Sequence, residues 1–260
     1  MKTAAALGLS AGLLTAPVHA ERVWSVELAG QQDWQQWRET ASDGRRLVAE
    51  DGRLGGLTTT LRWAPTEAAA LALSLGMLQG VRDYRGVTNL GQAAQTRSDA
   101  EHGFVRLDAV FAWRLSTAGW QWQPSAAAEY WQWRRHLRDA GMARGYAERY
   151  CQGVMLVGLQ GRSDSGWLAQ LELGGGTGGH NRIELPGRDA AKLPLGPART
   201  LRATLGASLA PDWHWRLAAE RLTVNAGDER PITLQGVPVQ SAHQPRISLS
   251  RLQLQLSWEH

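Results

Sequence analysis

The chain has 260 residues and a formal net charge of +4, with 28 basic and 24 acidic side chains interspersed, so no basic run suggests a nucleic-acid partner. Its single cysteine, Cys151, excludes an intrachain disulfide framework. Against only 2 phenylalanines stand 13 tryptophans, whose apolar body and N–H tip favour boundaries that are dry on one side and wet on the other.

Residues 1–20 read as a Sec signal peptide. Lys2 gives a positive start, Ala4 to Leu14 form a short apolar core, and Val18-His19-Ala20 resembles a cleavage site. No later run approaches the ~18 uncharged apolar residues that a spanning helix needs. Residues 21–260 then form one domain, and their alternating runs predict strands. These fall at 22–38, 46–63, 67–85, 99–115, 119–137, 146–161, 166–175, 199–209, 213–224 and 245–259.

Short turns separate alternate pairs of strands, at Ala64-Pro65-Thr66, Ser116-Thr117-Ala118-Gly119, Ser163-Asp164-Ser165-Gly166 and Ala210-Pro211-Asp212. Trp63, Trp120, Trp167 and Trp213 sit beside these turns, as an aromatic girdle at one end of a closed sheet would. The other connections, around 41–46, 86–98, 138–145, 175–198 and 225–244, are longer and polar. The last strand shows the alternation most plainly: Leu252, Leu254, Leu256 and Trp258 share one face, and Arg251, Gln253, Gln255 and Ser257 share the other.

Together these features resemble a bacterial outer-membrane β-barrel: all-β, closed, antiparallel, with about ten strands, roughly eight to twelve being compatible with uncertain strand ends. The uncharged rows face lipid, among them Leu57 to Trp63, Leu71 to Met77 and Leu201 to Leu209 taken at alternate positions. The opposite rows place Arg62, Arg106, Asp108, Arg114, Glu129, Glu172, Arg202, Arg216, Glu220 and Arg251 in the lumen, with Glu27. A soluble barrel would reverse the two faces, and period two alone does not exclude it. The leader, the girdle and the turn asymmetry select the membrane form. In 146–161, apolar on both faces, Cys151, Met155, Val157 and Leu159 are assigned to lipid.

Several strands exceed the ~9–11 residues of a crossing, so their upper parts protrude, carrying Trp34, Trp37, Trp131 and Trp133 to the outer boundary or above it. Ten strands with a protruding upper barrel resemble the omptin family of outer-membrane proteases. That resemblance implies an acidic pair near the top of the third strand, acting with an Asp-x-His unit across the mouth. Here the strand ends Arg82-Asp83-Tyr84-Arg85-Gly86, with one acid, and His180 follows Gly178-Gly179.

Asp83, Glu101, His102 and His180 are the acid/base candidates because each lies near a loop end, a position that ordinary solvated loop residues also occupy. In Trp131-Gln-Trp-Arg-Arg-His-Leu-Arg138, the residues Trp131, Trp133, Arg134, Arg135 and Arg138 are candidates for lipopolysaccharide contact, or an upper girdle with snorkelling arginines. The histidines show no ligand-like spacing, so neither metal nor cofactor is expected. Expected partners are outer-membrane lipid, lipopolysaccharide and the insertion machinery, which reads a terminal aromatic residue where this chain has His260. The leading reading is a structural, binding or surface-interaction barrel with a charge-filled lumen. A barrel-mouth hydrolase acting on peptide or lipid and a narrow pore are the alternatives.

Overall fold

The computed structural model describes residues 24–66, 69–87, 93–111, 113–141 and 143–260. The expected leader lies outside them. The strands in chain order are β1 (Trp24–Thr40), β2 (Arg46–Thr66), β3 (Ala69–Val87), β4 (Ala93–Val110), β5 (Leu115–Thr117), β6 (Trp120–Leu137), β7 (Ala147–Ser163), β8 (Trp167–Gly176), β9 (His180–Glu184), β10 (Ala191–Pro194), β11 (Ala198–Ala210), β12 (Trp213–Val224), β13 (Arg230–Leu234), β14 (Val237–Ala242) and β15 (Arg246–Glu259).

Ten of these form the wall: β1, β2, β3, β4, β6, β7, β8, β11, β12 and β15, each antiparallel to its neighbours. The last returns to the first, with Leu28 opposite Trp258 and Trp34 opposite Leu252, so the ring is closed and has no free edge at the level of lipid. Pairing continues through the final residue, since His260 N–H donates to Val26 O at 3.0 Å and Val26 N–H to His260 O at 3.1 Å. His260 also stacks on Trp258, with ring centres 5.5 Å apart.

The assigned lipid rows are exposed on the outer wall: Leu57 is 71% exposed, Leu171 52%, Leu201 51% and Leu254 43%. Tryptophans cluster at the short-turn end, where Trp24 meets Trp63, Trp120 meets Trp122, and Trp167 meets Trp215. This outer belt defines a barrel that sits in a membrane.

Three sequence expectations need correction. The fourth strand runs over Ala93–Val110 instead of 99–115, because its polar start, Ala93 to Ser98, pairs with the protruding top of β3. The long connections contain strands of their own. β9 pairs with the upper part of β7 and extends the wall through the β9–β10 hairpin, while β13–β14 is a separate ribbon. Its two-residue turn, Gln235-Gly236, has both φ values positive, at 52° and 79°, as the twist of a tight hairpin demands. Lastly, Cys151 shares the outward parity of Met155, Val157 and Leu159 but is not exposed to lipid as they are, since it sits where β9 joins β7 and its thiol is covered by neighbours such as Gln132. It lies opposite His180 of β9 and is 4% exposed.

Above the membrane the alternation inverts. In β15 the outward residues Leu252, Leu254, Leu256 and Trp258 are even-numbered, whereas the apolar Ile247 and Leu249 are odd-numbered and 1% exposed. β12 changes in the same way, from outward Trp213 and Leu217 to buried Leu222 and Val224. A protruding barrel has water outside, so its apolar row must turn inward to find a core. Trp37, Leu54, Leu78, Tyr84, Trp133 and Tyr150 belong to that core.

Candidate functional site

The inward row of the membrane-level strands converges on an ionic network. Arg106 from β4 binds Asp108 at 2.6 Å, Glu129 of β6 at 3.2 Å and Glu172 of β8 at 2.5 Å. Arg202 of β11 shares Glu129 at 3.0 Å and Glu172 at 3.4 Å. Arg251 of β15 binds Glu220 and, at 3.3 Å, Asp33 of β1. Each guanidinium thereby meets at least two carboxylates from other strands, which is how charges this buried remain ionised. Arg251 also donates from Nη1 to Nδ1 of His102 at 3.3 Å; an arginine has no acceptor, so the proton of His102 sits on Nε2.

A second layer lies above it. Arg135 binds Glu39 at 2.6 Å, Glu50 at 2.7 Å and also Glu148. Arg82 binds Glu50 at 3.1 Å and lies over the rings of Trp37 and Trp133, at 5.5 Å and 5.1 Å. Trp37 and Trp133 stack at 4.6 Å. Asn181 and Gln244 cap this layer, with Asn181 Nδ2 donating to Glu148 at 2.9 Å and to Gln244 at 2.8 Å. Sequence reasoning missed Asp33, Glu39, Glu50, Arg82 and Glu148, although all five have the inward parity of their strands.

The acid/base candidates do not converge. Asp83 faces outward and lies 3.7 Å from Arg97. Glu101 is also outward, 3.9 Å from Arg134. His102 is inside, edge-on to Trp133 with ring centres 4.5 Å apart. His180 is on the outer wall opposite Cys151. Neighbouring residues such as Glu101 and His102 are sent to opposite faces by the pleat. Of the predicted lumen charges, Arg62 lies at the short-turn end of the interior, whereas Arg114 lies beyond β4 and is exposed.

The proposed lipopolysaccharide set is split for the same reason. Trp131, Trp133 and Arg135 point inward and are 4%, 3% and 2% exposed, so they cannot touch an outer ligand. Arg138 is exposed and bound to Asp99 at 2.6 Å. Arg134 faces outward and opens a row that sequence reasoning did not find. It lies opposite Arg149 of β7, Arg149 opposite Arg182 of β9, and Arg182 opposite Lys192 of β10. Four cations thus stand side by side across four strands. Glu184 reaches Arg182 at 3.0 Å, but Arg149 and Lys192 have no ion pair among the described residues. Further down β6 and β7, beside β4, is a groove of about 570 Å³ lined by Val105, Leu107, Ala128, Tyr130, Gly153 and Met155.

Barrels of this kind have short periplasmic turns and long extracellular loops, and at the long-loop end Asp189 holds the tip of the β13–β14 ribbon. It accepts hydrogen bonds from the Thr233 hydroxyl at 2.6 Å and from Gly236 N–H at 2.9 Å. Those bonds, the Thr233 one foremost, keep its carboxyl below the ordinary aspartate range.

A closed ten-strand barrel with an apolar belt, a tryptophan girdle and an ionic lumen is the architecture of a bacterial outer-membrane protein. Comparison with solved structures agrees at the level of fold. The outer membrane protease OmpT from Escherichia coli aligns with a TM-score of 0.56 at 10% identity, covering 91% of this chain and 96% of that one. The translocator domain of the autotransporter NalP from Neisseria meningitidis aligns with a TM-score of 0.44 at 12% identity, covering 92% and 89%. Ail of Yersinia pestis aligns with a TM-score of 0.39 at 8% identity, covering 91% and 98%. No family model and no curated protein matches the sequence.

Proposed function

We propose that the chain is a non-conducting surface-interaction barrel that holds phosphorylated glycolipid, such as lipopolysaccharide, against the outer wall of β6, β7, β9 and β10. The observation that carries this reading is the row Arg134, Arg149, Arg182 and Lys192. Guanidinium and ammonium groups in one line suit the phosphates of a lipid headgroup, and the Tyr130–Met155 groove lower on β6 and β7 suits an acyl chain. The non-conducting part rests on the ionic network, whose side chains fill a barrel of only ten strands. The protease activity of OmpT is not carried over, since Asp83, Glu101 and His180 lie outward on three different strands and His102 alone points inward.

The test replaces Arg149→Gln, Arg182→Gln and Lys192→Gln together. Lipopolysaccharide retained through extraction and purification should fall at least tenfold, since even one hydrogen bond to a charged group contributes about 1.5–3 kcal/mol. The thermal stabilisation of the barrel by added lipopolysaccharide should shrink with it. Unchanged retention by the triple variant refutes the reading.

A further inference from the structure

The interior arginines differ in one respect along the barrel axis. Arg82, Arg106, Arg135, Arg202, Arg216 and Arg251 each have a carboxylate within 3.4 Å. At the periplasmic floor, Arg62 of β2 and Arg162 of β7 have none. Both have inward parity, both are half-buried, and neither makes an ion pair or a side-chain hydrogen bond among the described residues. The Nε of each is shielded from solvent and lacks an acceptor.

The neighbours of these two arginines deepen the deficit. Arg162 is within electrostatic reach of Arg62, Arg114 and Arg216. Of the acids nearby, Glu27 is engaged by both terminal nitrogens of Arg216, at 2.7 Å and 3.0 Å. Glu259 accepts from the Ser25 hydroxyl at 2.7 Å and lies 3.6 Å from His214; it attracts Arg62 and Arg162 without hydrogen bonding to either. Above the pair, Gln160 is 1% exposed and both polar atoms of its side chain are unpartnered. Among the described residues the floor therefore carries more cations than carboxylates, with Arg62, Arg162 and Arg216 facing Glu27 and Glu259, although Glu259 Oε2 itself keeps an unpartnered lone pair. Elsewhere in the lumen, the barrel supplies the carboxylates itself.

We propose that this floor is a binding site for a multivalent oxyanion of phosphate type, entering from the periplasmic side and bridging Arg62 and Arg162. Two guanidinium forks match the several directed acceptors of a phosphate, whereas chloride offers one spherical acceptor. The phosphate can belong to a free ion or to an inner-leaflet lipid headgroup. The site is separate from the outer-wall row: it uses inward residues at the opposite end of the barrel.

The experiment is thermal unfolding of the full barrel in phosphate-free, uncharged micelles. Inorganic phosphate is titrated against chloride at matched ionic strength in one arm, and the micelles are doped with phosphatidylglycerol in the other. Phosphate should raise Tm above the chloride control if the free ion is the ligand, and doping should do so if the headgroup is. Binding to the native state alone makes either shift concentration-dependent. Arg162→Gln and Arg62→Gln should each weaken the response at least tenfold in midpoint concentration. Neither should lower Tm in chloride, because each removes one cation from a cluster in which cations outnumber carboxylates. Arg149→Gln on the outer wall should leave the response intact, so loss of the glycolipid reading would not remove this one. Equal shifts with chloride and in both arms, or a full response from Arg162→Gln, would overturn the site.

Discussion

Arg106 and Arg135 are each surrounded by three carboxylates, but their settings differ. Around Arg106, at the level of the bilayer, the neighbouring inward residues are the further charges Arg202, Glu129 and Glu172. Around Arg135 they are aromatic, with the rings of Trp37 and Tyr150 each 5.5 Å from the guanidinium. The reason lies outside the wall. Where lipid takes the large apolar residues, the lumen is left with mainly polar and small ones, and its charges must neutralise one another. Where water surrounds the wall, the apolar row turns inward and the ionic cluster becomes an inclusion in a hydrophobic core.

The sharpest way to break the lower region is Arg106→Met, which takes a cation from Asp108, Glu129 and Glu172 and leaves the last two with Arg202 alone. Stability should fall by about 3–5 kcal/mol, read from the urea midpoint of the heat-modifiable band. In the upper region, Trp133→Ala removes a stacked ring from the core and should cost about 3 kcal/mol. A loss much below that would mean that the protruding half is loosely packed. Leu254→Arg places a charge on the lipid face and should cost about 2 kcal/mol in lipid vesicles. Ile247→Arg also introduces an arginine into β15, but on an inward position, and its penalty should appear equally in detergent and in vesicles.

The smallest effect concerns the clasp at Asp189. Its folded pKa is lowered, so its contribution is complete above the unfolded carboxylate range and is lost as pH falls through the folded value. Hydrogen-exchange protection of the Gly236 amide, corrected for the intrinsic rate, should decline over that acid window. In Asp189→Asn it should be reduced at every pH.

The ten strands were legible because lipid enforces a strict period on the lower half of each, as in Leu71, Leu73, Leu75 and Met77. The lumen partners followed from the same parity, and Arg106, Glu129, Glu172 and Arg202 do meet. The upper half was misread because Trp131, Trp133, Arg134 and Arg135 were grouped as one patch, whereas successive residues of a strand point to opposite faces. In β6 the outward apolar row ends at Tyr130, and the next apolar residues, Trp131 and Trp133, have the other parity; the same step occurs at Ser250-Arg251 in β15. That change of parity marks the outer boundary of the membrane and was present in the sequence. The row Arg134–Arg149–Arg182–Lys192 was not, because two of its members lie on a hairpin inside a long connection whose register no local pattern reveals.

The central claim is that the ionic network closes the lumen, and planar-bilayer recording of the purified barrel tests it most directly. No steady conductance should appear with the wild-type chain. A steady conductance that changes on Arg106→Gln or Glu129→Gln substitution would show that ions pass through this network and would contradict the claim.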